Sequence, residues 1–131
     1  FGGNPVSCAI GMAVLDVIED EGLQEKARVV GGHLLEKLQE LKRRHPVMGD
    51  VRGIGLYIGI ELVEDRLSRE PAPRRAARAK ERLRDHQILL STDGPQDNVL
   101  KIKPPLVFSM ADAHRLLSTL DRILEEDGIR L

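Results

Sequence analysis

The hydrophobic period of this chain changes along its length, and that change limits the folds open to it. Over residues 5–44 apolar side chains recur every three or four positions, and over 51–63 they recur every second position. The first spacing belongs to a helix face and the second to a strand with one buried side. Helices and strands must therefore share one core.

Between Pro5 and Glu21, Cys8, Met12, Leu15 and Ile18 form one ridge and Ala9, Ala13 and Val17 another, with Pro5 suited to a first helical turn. Gly22 stops this helix. A second amphipathic helix runs from Leu23 through Ala27, Val30, Leu34, Leu38 and Leu41, and it ends at Lys42, Arg43, Arg44 and Pro46. Gly31 and Gly32 sit in its middle, where each glycine costs about 0.8–1.0 kcal/mol relative to alanine. The pair predicts that another element crosses there.

Val51, Ile54, Leu56, Ile58, Ile60 and Leu62 are interleaved with Gly49, Gly53, Gly55 and Gly59. The alternation predicts a strand over Leu56 to Val63, with a short one before it at Val51, and close backbone approach at Gly53 and Gly55. Residues 65–73 are polar and hold Pro71 and Pro73, which reads as a surface loop before a helix from Pro73 to Asp85. That helix carries Arg74, Arg75, Arg78, Lys80, Arg82 and Arg84 opposite Ala76, Ala77, Ala79 and Leu83, a pattern expected of a solvated basic face. Gln87 to Ser91 and Val99 to Lys103 read as two further strands, antiparallel neighbours around a loop at 92–98. Pro104-Pro105 ends the second. Ser109 and Asp112 then resemble a capping box opening a last helix through Leu116, Leu117, Leu120, Ile123 and Leu124, after which the final residues are expected to fray. The expected fold class is α+β, a small mostly antiparallel sheet covered by helices, without internal repeats.

Composition narrows the function. The 131 residues make one domain able to bury a core without disulfides. Lys+Arg 20 against Asp+Glu 21 leaves no net field for a polyanion, and 2% aromatics with no Trp offer no platform for stacked bases. Bulk nucleic-acid binding is disfavoured, and the core must be aliphatic. Cys8 reads as a buried small hydrophobe. His33, His45, His86 and His114 stand in no nucleophile-elbow or HExxH context and read as helix-surface or helix-end residues. No Cys/His/acid spacing closes a metal set, so no metal is expected. Gly53-Ile54-Gly55 is followed by Gly59 within the alternating run, with no helix opening after it, which argues against a dinucleotide loop. No apolar run approaches the roughly 18 residues that span a bilayer, and no signal peptide precedes the helices, so a cytoplasmic domain is expected.

Lys101 and Lys103 flank Ile102, and period-two geometry puts both ammonium groups on one strand face just before the Pro-Pro stop. Two cations so placed can hold an anion, or they can simply face water and discourage edge pairing.

Four segments together resemble one family: GGNPxSxA at Gly2 to Ala9, VRGIGLYIGIEL at Val51 to Leu62, ILLSTDGP at Ile88 to Pro95 and LKIKPPL at Leu100 to Leu106. In order and spacing they are similar to the C-terminal part of class III aminotransferases, nearest to the phospholyase branch that acts on ethanolamine phosphate or 5-phosphohydroxylysine. The resemblance covers nearly the whole chain. It implies the small domain of a fold type I enzyme dependent on pyridoxal 5'-phosphate (PLP), whose Schiff-base lysine lies in a large domain outside these residues. No residue here is then catalytic, and the isolated domain should not turn over. The start at Phe1 without a methionine fits the tail of a longer protein.

The resemblance also implies that Gly2, Gly3 and Asn4 lie near the cofactor phosphate of the neighbouring subunit in a homodimer; a threonine expected just before Phe1 is missing. At the position of Lys101 such aminotransferases commonly carry an arginine that grips the substrate carboxylate at two points. Lysine is a compact point charge that suits phosphate, so the departure implies an amine substrate bearing phosphate. The alternatives are an omega-aminotransferase using a keto-acid acceptor and, from another class, a noncatalytic assembly module whose cut surface seeks a partner.

Overall fold

A computed structural model of the chain describes residues 2–131. Among these the order is α1 (Pro5–Asp20), α2 (Leu23–Arg44), β1 (Met48–Ile54), β2 (Tyr57–Asp65), β3 (Glu70–Pro71), α3 (Pro73–Asp85), β4 (Ser91–Asp93), β5 (Val99–Ile102) and α4 (Met110–Ile123). The sheet is antiparallel in the order β1-β2-β5-β4, with β3 pairing β2 off that path. This is the expected α+β arrangement.

Two of the connections, one between helices and one between strands, are set locally by glycines with positive φ. Gly22 takes a left-handed φ of 60° between α1 and α2, and Gly55 takes φ 54° in the two-residue turn that joins Ile54 to Tyr57. That turn is the element that crosses α2. A Cβ on Gly31 would fall 2.1 Å from the Gly55 carbonyl oxygen, whereas one on Gly32 would meet nothing within 4 Å. Only the first of the two helix glycines is required by packing. Gly53 is required as well, since a Cβ there would fall 2.4 Å from the Tyr57 carbonyl oxygen.

Val51, Ile58, Ile60, Leu62, Leu100 and Ile102 point from one sheet face into the core, where Leu34, Leu38 and Leu41 of α2, Ala76, Ala79 and Leu83 of α3, and Leu116, Leu120 and Ile123 of α4 cover them. The Ser109–Asp112 capping box that opens α4 is formed in both directions. No helix among the described residues is long and apolar enough to cross a membrane.

Several expectations need correction. Gln87 to Leu90 form no strand, because the chain there is engaged in ending α3. Gln87 adopts φ 62°, its N–H reaches the Arg84 carbonyl and the Ile88 N–H reaches the Leu83 carbonyl, which is the bonding of a Schellman cap. β4 therefore starts only at Ser91 and takes in Thr92 and Asp93 of the expected 92–98 loop. The first strand of the hairpin is seven residues long, not a short piece at Val51, and an irregularity between Met48 and Asp50 lets it turn. The segment after Asp65 is more than a loop: the Asp65 carboxylate accepts from the N–H groups of Leu67 and Ser68, and the resulting turn returns Glu70 and Pro71 to pair with β2.

Helix α3 is not merely solvated. Arg74 and Arg78 are exposed, but Arg75 Nε donates to Glu64 at 2.6 Å and Arg82 Nε to Glu126 at 2.6 Å. The last residues are held, with Ile129 fully buried and its carbonyl, like that of Arg130, accepting from Arg75. His45 ends α2 as expected but is buried, 3% exposed. Cys8 is exposed rather than buried. The reason is that α1 has no buried residue: Val6, Ile10, Met12 and Leu15 are all more than half exposed. Its helical apolar pattern is real, but these residues supply nothing to cover it.

Candidate anion-binding site

The strand register decides which side chains share the sheet face that the helices leave open. Arg52, Gly59, Lys101 and Ser91 lie opposite one another across β1, β2, β5 and β4. The neighbouring row holds Asp50, Glu61, Val99 and Asp93. Gly59 between Arg52 and Lys101 leaves a trough instead of a side chain, part of a cleft of about 440 Å³ that Tyr57, Asp93 and Gly94 also line.

Lys101 is the centre of this face. Asp93 sits diagonally across from it, and the Lys101 ammonium donates to an Asp93 carboxylate oxygen at 2.7 Å while the Gly94 N–H donates to the other at 2.8 Å. The hydrogen bond from Lys101 chiefly, and that from Gly94, hold the Asp93 carboxyl below the usual carboxylate range. The same bond raises the Lys101 ammonium above the usual lysine range. Lys103, one residue past β5, lies 5.8 Å from the centroid of the Tyr57 ring. Both lysines are thus on the expected common side, but each already has a partner.

A second cleft, of about 530 Å³, opens beside Lys101 where the chain at 87–91 and the chain at 101–105 separate, and Arg115 and Asp112 of α4 line its wall. The Schellman cap on one side and the two prolines on the other explain the separation, since neither stretch can complete a ladder. Lys101 and Lys103 therefore stand on the rim of a concave, partly cationic surface.

Gly2, Gly3 and Asn4 lie elsewhere, at the start of α1, and line neither cleft. Gly3 has φ 80°, and both glycines are exposed with nothing within 4 Å of where a Cβ would stand. Asn4 caps α1: its Oδ1 accepts from the Ser7 N–H at 2.9 Å and its Nδ2 donates to Ser7 Oγ. A bare glycine turn at the positive end of a 16-residue helix fits a phosphate group, which needs N–H donors and close backbone approach.

Asp93 and Arg52 were not singled out from the sequence. Asp93 is in the STDGP segment and Arg52 in VRGIG, but their place beside Lys101 depends on which strands pair and in what register. No local spacing encodes that.

Residues 1–124 match the aminotransferase class-III family, and the chain belongs to it. It is 52% identical over 118 residues to the alanine–glyoxylate aminotransferase 2-like protein of Drosophila melanogaster, covering 89% of this chain and 24% of that protein. A phospholyase from Arthrobacter, solved in complex with phosphoethanolamine, superposes with a TM-score of 0.88 at 43% identity, covering 93% of this chain and 29% of the other. An amine transaminase from an uncultivated Pseudomonas species, solved in its PLP-bound form, superposes with a TM-score of 0.82 at 36% identity, covering 92% and 27%. The chain spans about a quarter of the length of the curated relative and matches the C-terminal portion of the class III structures. The family is PLP-dependent, and its members similar to this chain include both aminotransferases and phospholyases.

Proposed function

We propose that the chain is the C-terminal small domain of a dimeric PLP-dependent phospholyase that eliminates phosphate from an amino-alcohol phosphate such as ethanolamine phosphate. The observation that carries this reading is Lys101: a lysine on the open sheet face, at the rim of two clefts, where the resemblance leads one to expect a carboxylate-gripping arginine. An ammonium meets a phosphate as a point charge and does not need the planar fork that recognises a carboxylate. The likeness to a phospholyase that binds phosphoethanolamine supports the same choice.

In this reading the cofactor supplies the stabilisation of carbanion character at the amine-bearing carbon. Lys101 binds the substrate's phosphate and balances its charge as the neighbouring C–O bond breaks and phosphate departs with the bonding pair. Gly2, Gly3 and Asn4 form the helix-start turn that would receive the cofactor's phosphate from the neighbouring subunit. The Schiff-base lysine belongs to the large domain, so this domain alone has no turnover.

The test is phosphate release from ethanolamine phosphate by the full-length parent with PLP and no keto-acid acceptor. Release, with a KM raised far more by Lys101→Ala than by Lys103→Ala, is the expected result. The 52% identity to an aminotransferase 2-like protein favours a second reading, a conventional transaminase. Silence without an acceptor and turnover once pyruvate is added would establish it in place of the first.

A further inference from the structure

Helices α2 and α4 pack along a polar seam that the proposed reaction does not use. At one end His33 Nε2 stands 3.1 Å from His114 Nε2, with the rings edge to face. At the other end Arg44 and His45 meet Asp121. Between them a shallow cleft of about 260 Å³ is lined by Lys37, Glu40 and Ser118 among others.

We propose that His33 and His114 form a two-histidine site for a divalent first-row transition ion, Cu²⁺ or Zn²⁺. The distance carries the argument. Two imidazole nitrogens each about 2.0–2.1 Å from one ion stand roughly 2.8–3.4 Å apart for angles between square and tetrahedral, and the pair is already at 3.1 Å. The two residues come from different helices of one packed core, so helix packing sets their backbones within reach of one ion while the rings stay open to solvent. Imidazole donors select copper, nickel and zinc over calcium and magnesium.

Charge does not oppose the ion. The two cations lining the cleft are each engaged, Lys37 with Glu40 at 2.8 Å and Arg44 with Asp121 at 3.1 Å. In the free protein one histidine donates an Nε2 proton to the other. On binding, that proton moves to Nδ1 of the same ring through solvent, both Nε2 lone pairs form bonds to the ion, and two waters leave it. That ring keeps its proton, so the exchange balances without another acceptor. Solvent keeps the remaining coordination positions, since no group of three or more ligating side chains exists among the described residues.

The experiment titrates the protein with ZnCl₂ and with CuCl₂ by calorimetry, alongside His33→Ala, His114→Ala and Cys8→Ser. The last variant matters because the exposed Cys8 thiol is the strongest competing ligand. One ion per chain is expected, retained in Cys8→Ser and weakened in either histidine variant by at least the 10–100-fold that loss of even an outer-shell partner costs. Copper spectra should show two equivalent nitrogen ligands in the unmodified chain. Should either variant fail to fold, NMR of the unmodified chain decides, with the His33 and His114 ring signals responding to zinc before that of His86. Absence of binding at millimolar metal, binding unchanged in the histidine variants, or binding abolished in Cys8→Ser would each overturn the proposal.

Discussion

The backbone of Gly55, at the tip of the first hairpin, lies directly against Gly31 in the middle of α2, so close that a Cβ on Gly31 would sit 2.1 Å from the Gly55 carbonyl oxygen. Backbone on both sides leaves nothing flexible to move aside. Gly31→Ala is therefore expected to destabilise the protein by about 1–3 kcal/mol, as overpacking does. Gly32→Ala, where the added methyl meets open space, is expected to stabilise it by about 0.8–1.0 kcal/mol through helix propensity. Urea midpoints of the two variants should move in opposite directions; a shift of the same sign would refute the crossing as the reason for Gly31.

That contact shows how far the sequence is legible. A glycine pair in a helix announces that something crosses, but the partner and the choice between Gly31 and Gly32 come only from packing. Helix limits were readable because caps are local: Pro5, Gly22, Pro73 and the Ser109–Asp112 box each act within a turn. The strand expected at Gln87 failed for the complementary reason. A left-handed residue after a helix is usually glycine, and here glutamine takes that conformation, so apolar Ile88-Leu89-Leu90 read as a strand. Lys101 was visible as chemistry, while Asp93 beside it required the β4–β5 register.

His45 is the most buried titratable side chain of the α2–α4 seam, with Nε2 2.6 Å from Asp121 and Nδ1 3.2 Å from Glu125. Partial burial by itself would raise the Asp121 carboxyl. The hydrogen bond from His45 and the charge of Arg44 outweigh it and hold the group below the usual carboxylate range. A folded-state value below the unfolded one means that Asp121 stabilises the fold above the unfolded value and stops doing so as pH falls through the folded one. Asp121→Asn should cost about 0.5–1.5 kcal/mol at neutral pH, because water screens a carboxylate that is a third exposed. It should also flatten the acid limb of the stability curve. An acid limb as steep as that of the unmodified protein would assign it to other carboxylates.

The Lys101–Asp93 pair predicts titrations rather than stability, because both groups are open to water. Asp93 should titrate below the ordinary aspartate range, and Lys101→Ala should return it toward that range by removing the main hydrogen bond. Any stabilisation from the depressed Asp93 is present above its unfolded value and fades as pH falls through the folded one. For the raised Lys101 it is present below its unfolded value and fades as pH rises through the folded one. Carboxyl-carbon NMR of Asp93 in the two proteins provides the check, and an Asp93 midpoint indifferent to Lys101 would show the pair unformed in solution.

The end of the chain supplies the last prediction. Ile129 follows α4 by six residues, yet it is fully buried and belongs to the same core as Leu83 and Ile123. Arg75 donates to its carbonyl at 3.2 Å while its Nε holds Glu64, so one guanidinium joins α3, β2 and the tail. Removing most of a packed isoleucine leaves a cavity, and Ile129→Ala is expected to cost about 2–5 kcal/mol. Leu131→Ala, two residues on and 46% exposed, should stay within about 0.5 kcal/mol of the unmodified protein. If denaturant melts place the two variants together, the tail is frayed as the sequence pattern alone predicts; if they separate by the stated margin, residues up to Ile129 are part of the fold.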